Sequence, residues 1–221
     1  MYLKNLKAII PALGTNRYSK HGDLESFGDT TLLEWKIHQV KKIIPKDRIY
    51  VTAFEKNIKE ICNKHEIKFL KRKKNISLYK LHSDIGKKFK KDYLIWLNPT
   101  SPFFNEKNIS MFLKKSLNKL KGQYDSSLTC TLEKEYFFLN NKSVNFDSLK
   151  KTVSRSNIKS LVKITNSAHL IKGETLYKNQ NLFGKKPYFV KIDFISSLEL
   201  KYTKDVNLFN SILENYIKRS I

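Results

Sequence analysis

The sequence predicts an α/β fold with a mostly parallel central sheet flanked by helices. Three nearly continuous apolar runs, at 6–12 (LKAIIPA), 48–52 (RIYVT) and 92–98 (DYLIWLN), have the length and composition of strands buried on both faces. Stripes of apolar residues at helical spacing lie between and after them, and strand–helix alternation closes onto a parallel sheet through right-handed crossovers.

The helical stripes follow in order. Leu33, Ile37, Val40 and Ile44 step by four, three and four residues, and Ile58, Ile61, Cys62 and His65 mark a second helix. A third follows the 92–98 strand, with Ile109, Phe112, Leu113, Leu117 and Leu120 on one face and Asn105 as its cap. In the second half, residues 124–139 alternate as strands do, 140–160 is polar and irregular, and 161–172 and 187–202 have strand character. A closing helix at about 204–218 places Val206, Phe209, Leu213 and Ile217 on one face. No internal repeat and no Pro-, Gly- or Ser-rich linker divides the chain, so residues 1–221 are expected to form one domain, with 133–172 as a protruding excursion.

The chain carries 43 Lys+Arg against 20 Asp+Glu, a formal charge of +23, with 40% hydrophobic residues. That hydrophobic content supports a packed core and excludes a disordered basic tail. A strongly basic chain can bind phosphate polymers, and KRKK at 71–74 and KKFKK at 87–91 are the patches that would do so. Only five of the cations are arginine (Arg17, Arg48, Arg72, Arg155 and Arg219), and arginine makes the bidentate base and phosphate contacts. The charge therefore reads as a solvated lysine surface rather than a nucleic-acid footprint. Cys62 and Cys130 provide neither a disulfide framework nor a metal cluster, which suits a reducing compartment. With no apolar run approaching a membrane span, a cytoplasmic location is expected.

Ligands of open α/β sheets bind beyond the C-terminal ends of the parallel strands, which directs attention to two loops. Residues 9–28 (IIPALGTNRYSKHGDLESFG) leave a buried strand through Pro11 and Gly14 into a long polar connection, where freed backbone amides with Arg17 and Lys20 can cradle a triphosphate. Residues 96–105 (WLNPTSPFFN) fix the backbone with Pro99 and Pro102 and present Asn98, Thr100 and Ser101 at the strand end. His21 and His169 have no carboxylate or cysteine at a catalytic spacing and are read as structural.

Together the order IIPALG, loop, FG, TLLEW, IYV and LNPTSP resembles the cytidylyltransferases that activate acidic sugars, such as CMP-N-acetylneuraminate synthetase and the 3-deoxy-manno-octulosonate cytidylyltransferases. The family signatures run roughly I-I-P-A-R-x-G-S-K, then K-N and F-G-x-x-P-L, then L-Q-P-T-S-P-L-R, an Arg-Gln pair, N-G-x-I-Y and D-I-D-x-x-x-D-F. All have counterparts in order: PTSP is literal at Pro99 to Pro102, ITNSAHLI (164–171) sets Asn166 on the motif asparagine, Arg155 lies eleven residues earlier, and Asp205 falls on the last aspartate. The resemblance implies a Rossmann-like nucleotide-diphospho-sugar transferase fold. It also implies a homodimer paired through 133–172.

Departures fall on residues with charge or chemistry. Leu13 stands at the phosphate-binding arginine, Thr15 and Asn16 at Gly-Ser, Arg17 at the lysine, and Gly22 and Asp23 at Lys-Asn. Phe54 replaces an aspartate, Phe104 an arginine, and Glu199 and Lys201 the two aspartates that would hold magnesium. Were 199–201 a strand, Glu199 and Lys201 would share a face, setting an ammonium beside a carboxylate.

The resemblance thus implies CTP-dependent transfer of CMP to an acidic sugar or related acid, with pyrophosphate released. Pro11, Ala12, Leu13, Gly14, Arg17, Lys20 and Asn98 would bind the nucleotide, and Arg72 could supply a further loop cation. Arg17 and Lys201 would act on the phosphates, while Arg155, Asn166 and Ser101 engage the acid. Glu199 and Asp205, with Asp193 nearby, would be the ligands of any Mg²⁺, which Lys201 opposes. A non-catalytic member that keeps the fold as a binding or scaffolding protein is the alternative, and binding to an anionic polymer or surface the third.

Overall fold

The computed structural model describes residues 4–150 and 154–218. Leu6–Pro11 (β1) is followed by a small ribbon, Ser26–Phe27 (β2) and Thr30–Thr31 (β3), and by helix Leu32–Lys41 (α1). Ile49–Ala53 (β4), Lys56–Lys64 (α2), Lys68–Lys71 (β5), Leu78–Lys88 (α3), Tyr93–Trp96 (β6) and Glu106–Leu120 (α4) complete the first half. The second half holds Ser126–Glu133 (β7), the ribbon Phe138–Leu139 (β8) and Lys142–Ser143 (β9), Leu161–Lys172 (β10), Gly173–Asn179 (α5), Pro187–Lys191 (β11) and Thr203–Lys218 (α6).

Seven strands form the central sheet in the order β11-β7-β10-β6-β1-β4-β5. Only β10 runs antiparallel to its neighbours, β6 and β7. From β1 the chain winds to β4 and β5 on one side and then returns to β6 on the other, so a crevice opens between β1 and β6 at the C-terminal strand ends.

Burial explains the continuous apolar runs. Ala8, Ile9, Ile10, Val51, Leu94 and Ile95 are fully buried, because helices cover both faces of the sheet. One core layer joins α1, α2 and α4 to the sheet through Leu33, Ile37, Val40, Ile58, Phe112 and Leu113. The opposite layer packs Leu81 and Ile85 of α3 and Leu176 of α5 on Ile9, Trp96 and Ile171. Gly86 permits that contact, since a Cβ there would lie 2.4 Å from the Tyr177 backbone nitrogen.

The expected strands and helices are present with shifts of a few residues, and Asn105 caps α4 in a reciprocal pair with Asn108. The strand expected over 187–202 is shorter: β11 stops at Lys191 and a 3-10 turn follows at Ile195–Ser197. Asp193 enforces the break by accepting from both the amide and the hydroxyl of Ser196, at 2.9 and 2.6 Å. The face sharing of Glu199 and Lys201 therefore does not arise from a strand, although their charged groups still meet at 3.6 Å. Elements β5, α3 and α5 go beyond the pattern read from the sequence. The Ile217 side chain and Arg219 lie outside the described residues.

The excursion leaves the sheet through β7, turns at Asn140 and Asn141, both at positive φ, and returns along β10. Asn145 ties it together, accepting from the Phe137 amide and donating to the carbonyls of Glu135 and Lys159 at 2.8 Å each. Among the described residues no helix is long and apolar enough to cross a membrane.

Candidate active site

Above the β1–β6 crevice lies a cavity of about 800 Å³. Both loops singled out in the sequence line it, through Pro11, Leu13, Asn16, Arg17, Tyr18 and Asp23 on one side and Asn98, Pro99 and Thr100 on the other. Arg72, Asn166 and Glu199 contribute from further along the chain. Trp96, His82, His169 and the segment Gln180–Phe183 form the remaining wall.

The loop after β1 folds on its own carboxylates. Gly22 turns the chain at φ +57°, where an added Cβ would lie 2.1 Å from the Leu13 carbonyl oxygen. This close approach lets the Leu13 amide donate to Asp23 Oδ2 at 2.8 Å while the Asp23 amide donates back to the Leu13 carbonyl at 2.8 Å. Tyr18 donates its hydroxyl to the same carboxylate. Burial pushes the Asp23 carboxyl up to about 6, against the opposing influence of the Tyr18 and Leu13 hydrogen bonds and of Arg72. The next amide, that of Gly14, donates to Glu55 Oε1 at 2.9 Å. Arg72 fastens the loop to the sheet end by donating to the Ala12 carbonyl at 2.7 Å. Two consecutive amides suited to a phosphate thus already hold carboxylates.

The cations differ in their freedom. Arg17 lines the cavity, is exposed, and has no ion pair among the described residues. Arg72 is half-buried, and Lys20 is exposed outside the cavity lining.

The Pro-flanked turn is held from behind by α1. Lys36 is fully buried and donates to Gln39 Oε1, the Ser101 carbonyl and the Phe104 carbonyl at 2.7, 2.8 and 2.9 Å. Burial pushes its ammonium down to about 7. Gln39 and the Trp35 indole both donate to the Pro102 carbonyl. Ser101 therefore faces inward: its side chain is fully buried outside the cavity lining, and its hydroxyl has no hydrogen-bond partner among the described residues. Phe104, at an arginine position of the resemblance, is fully buried and packs edge-on against Phe112 at 6.3 Å, so it belongs to the core.

A polar chain links three lining residues, Asn98, Asn166 and Glu199, to Lys201, which stands outside the lining. Asn98 Nδ2 donates to the Asn166 carbonyl at 2.7 Å, Asn166 Nδ2 to both Glu199 oxygens at 3.0 and 3.1 Å, and Lys201 Nζ lies 3.6 Å from Glu199. Asn166 is placed by an irregularity in β10 between Ile164 and His169, where Thr129 replaces ladder bonds by accepting from the Ala168 amide at 3.1 Å. Arg155 lies apart on the excursion, ion-paired with Glu135.

The carboxylates do not fit a magnesium site. Asp205 accepts from the Lys201 and Tyr202 amides at the start of α6, Asp193 is engaged by Ser196, and Glu199 is shared between Asn166 and Lys201. Among the described residues no three His, Cys, Asp or Glu side chains converge as metal ligands.

The wall around His169 was not predicted. His169 is 2% exposed, and neither ring nitrogen has a hydrogen-bond partner among the described residues. A buried polar group left unmatched costs about 1–3 kcal/mol. His169 stands opposite Trp96 in the β10–β6 register, and His82 stacks edge-on against Trp96 at 5.1 Å. Strand alternation alone puts His169 on the face of Ile171, but its neighbours on α3 and in 180–183 are long-range in sequence.

The sequence profile of the cytidylyltransferase family matches residues 9–216. No curated protein sequence matches the chain significantly. Among solved structures, 4-diphosphocytidyl-2C-methyl-D-erythritol synthase from Anaerococcus prevotii superposes with TM-score 0.68 at 16% identity, covering 96% of this chain and 99% of that one. CMP:2-keto-3-deoxy-manno-octonic acid synthetase, solved with CTP, gives TM-score 0.68 at 8% identity over 96% and 100% of the two chains. A cytidylyltransferase from Leptospira borgpetersenii gives TM-score 0.54 at 16% identity over 79% and 63%. These likenesses speak to the fold, and the profile match across nearly the whole sequence, with the crevice at its switch point, makes this chain a member of the cytidylyltransferase family.

Proposed function

We propose that the protein is a divergent CTP-dependent nucleotidyltransferase that joins CMP to an acidic sugar or related acid and releases pyrophosphate. Family membership supports CTP as substrate. The observation that carries the reading is the position of Arg17, an unpaired cation in a cavity at the strand ends, on the loop where a triphosphate of about four negative charges would lie. Arg72 adds charge from beside the same loop, and Lys20 is the next cation along it.

In this reading Pro11, Ala12, Leu13 and Gly14 form the bed of the nucleotide and Asn98 meets its base or sugar. A hydroxyl oxygen of the acceptor attacks the α-phosphorus and its proton passes to solvent; a P–O bond forms to the acceptor as the bond from the α-phosphorus to the bridging oxygen breaks, and that electron pair leaves with pyrophosphate. Arg17 stabilises charge on the phosphates, with Lys201 as a second cation, and Asn166 meets the acid. Ser101 is buried outside the cavity lining and Arg155 pairs with Glu135 away from it, so neither is given a part in binding the acid. Glu199 and Asp205 are not assigned a metal role, because their oxygens are engaged within the chain. The protein is further proposed to work as one domain in a reducing, cytoplasmic setting, with both cysteines buried and free. Phe138, Leu139, Val144 and Leu149, all exposed on the 133–172 excursion, would meet a second copy.

Purified protein incubated with CTP, Mg²⁺ and a panel of acidic sugars is expected to release pyrophosphate only when an acceptor is present. Arg17→Ala should lower that rate about 100-fold, the scale of losing a charge-assisted phosphate contact. Absence of turnover together with absence of a CTP-dependent thermal shift would defeat the proposal. One observation favours a second reading, a binding protein without turnover: Glu55 and Asp23 occupy the Gly14 and Leu13 amides. CTP binding without pyrophosphate release across the panel would favour it.

A further inference from the structure

The cavity is divided by charge. Its four charged lining residues, Arg17, Asp23, Arg72 and Glu199, come from the loop after β1, the end of β5 and the segment before α6. The wall built from β6, β10, α3 and residues 180–183 has none, and its polar atoms belong to imidazoles, amides and the Trp96 indole. Both imidazoles there are held neutral: burial pushes His169 down to about 4, with His82 adding to the effect, and burial also lowers His82. His82 Nδ1 lies 3.1 Å from the Gln180 carbonyl, which fixes the proton on that nitrogen and leaves Nε2 an acceptor. His169, in contact with the Phe183 ring at 6.1 Å, keeps one donor and one acceptor unmatched. His169 lies three residues after Asn166, at the isoleucine position of the N-G-x-I-Y motif that the segment resembles.

We infer that His169, with His82 and Trp96, forms the subsite for the acceptor, and that it takes an uncharged, hydroxyl-bearing carbon skeleton rather than the acceptor's acid group. Neutral imidazoles pair with hydroxyls, which both donate and accept, and the Trp96 and Phe183 rings supply the apolar faces on which carbohydrate C–H groups rest. The acid group of the same molecule is left for the charged side. This subsite rests on the cytidylyltransferase reading, and it assigns the two substrates to opposite walls of one cavity.

The test reads the ring nitrogens of His169 by NMR in the full chain, assigned with His169→Phe. The probes are CTP alone, then CTP with 3-deoxy-D-manno-octulosonate, N-acetylneuraminate or 2C-methyl-D-erythritol 4-phosphate. At least one of these three is expected to move the His169 nitrogens, while CTP alone leaves them in place. His169→Phe should weaken that probe about 10-fold or more with CTP affinity within about twofold, and His169→Gln should recover most of the loss because the amide also donates and accepts. Movement with CTP alone, silence with all three probes, or unchanged probe affinity in both variants would overturn the inference. CTP affinity from the same titrations separates the two claims: no CTP binding defeats the cytidylyltransferase reading, whereas CTP binding with a silent His169 defeats only the subsite.

Discussion

The two walls of the cavity satisfy their polar groups in opposite ways. On the loop wall, the amides of Leu13 and Gly14 are matched by Asp23 and Glu55, and the Ala12 carbonyl by Arg72, so the chain supplies the partners that a nucleotide would otherwise provide. On the strand wall, His169 is buried and neither ring nitrogen has a partner among the described residues. On the proposed reading, a triphosphate on the loop wall would displace internal partners, whereas a ligand on the strand wall would add partners where the described residues supply none. Binding at the first site is a difference between competing contacts, and at the second a direct gain.

The largest expected effect breaks the loop wall outright. Gly22→Ala puts a Cβ 2.1 Å from the Leu13 carbonyl oxygen at a left-handed φ, so the loop must open. We expect urea unfolding to report a loss of about 2–4 kcal/mol, together with weakened CTP binding. Arg72→Ala comes next. It removes the tether to Ala12 and a cavity cation, and calorimetry should show CTP affinity about 10–100-fold lower, as for a lost charge-assisted bond.

The walls also oppose each other in acid. Asp23 is raised from 3.8 to about 6, so its share of stability is full below the lower value and lost as pH rises through the higher one. His169 is lowered from 6.5 to about 4, so its contribution is absent below 4 and grows as pH rises toward 6.5. Between pH 4 and 6 the two slopes partly cancel. Asp23→Asn should therefore make stability rise more steeply with pH over that window, by up to about 3 kcal/mol, and His169→Phe should make it fall. Parallel changes in the two variants would contradict the opposed pair. Smallest is Glu55→Ala, which frees the Gly14 amide: CTP should bind about 3–10-fold more tightly, and weaker binding would show that Glu55 supports the nucleotide rather than competing with it.

The sheet was readable because parallel strands covered on both faces must be nearly continuously apolar, and LKAIIP, IYVTA and YLIW are, Lys7 and Thr52 apart. Position on the sheet then made both lining loops readable, since the 9–28 and 96–105 segments follow β1 and β6. The second half was less so. Asp193 ends a run that alternates like a strand, and that capping bond depends on the local turn rather than on hydrophobic period. The loop's internal carboxylates were hidden for a similar reason: Asp23 reads as a departure from a motif, and only the turn at Gly22 brings it onto the Leu13 amide. The His169 wall depends on antiparallel register between strands far apart in sequence, with α3 folded over it. An isolated histidine in a strand carries no sign of that environment.

Calorimetric titration of CTP into the wild-type chain and Arg17→Ala tests the central claim most directly, because it asks whether a nucleotide occupies the loop wall. The account predicts a saturable one-to-one heat for the wild type and an affinity lower by about 10-fold or more in the variant. No saturable heat with millimolar CTP, or equal affinity in the two proteins, would contradict it.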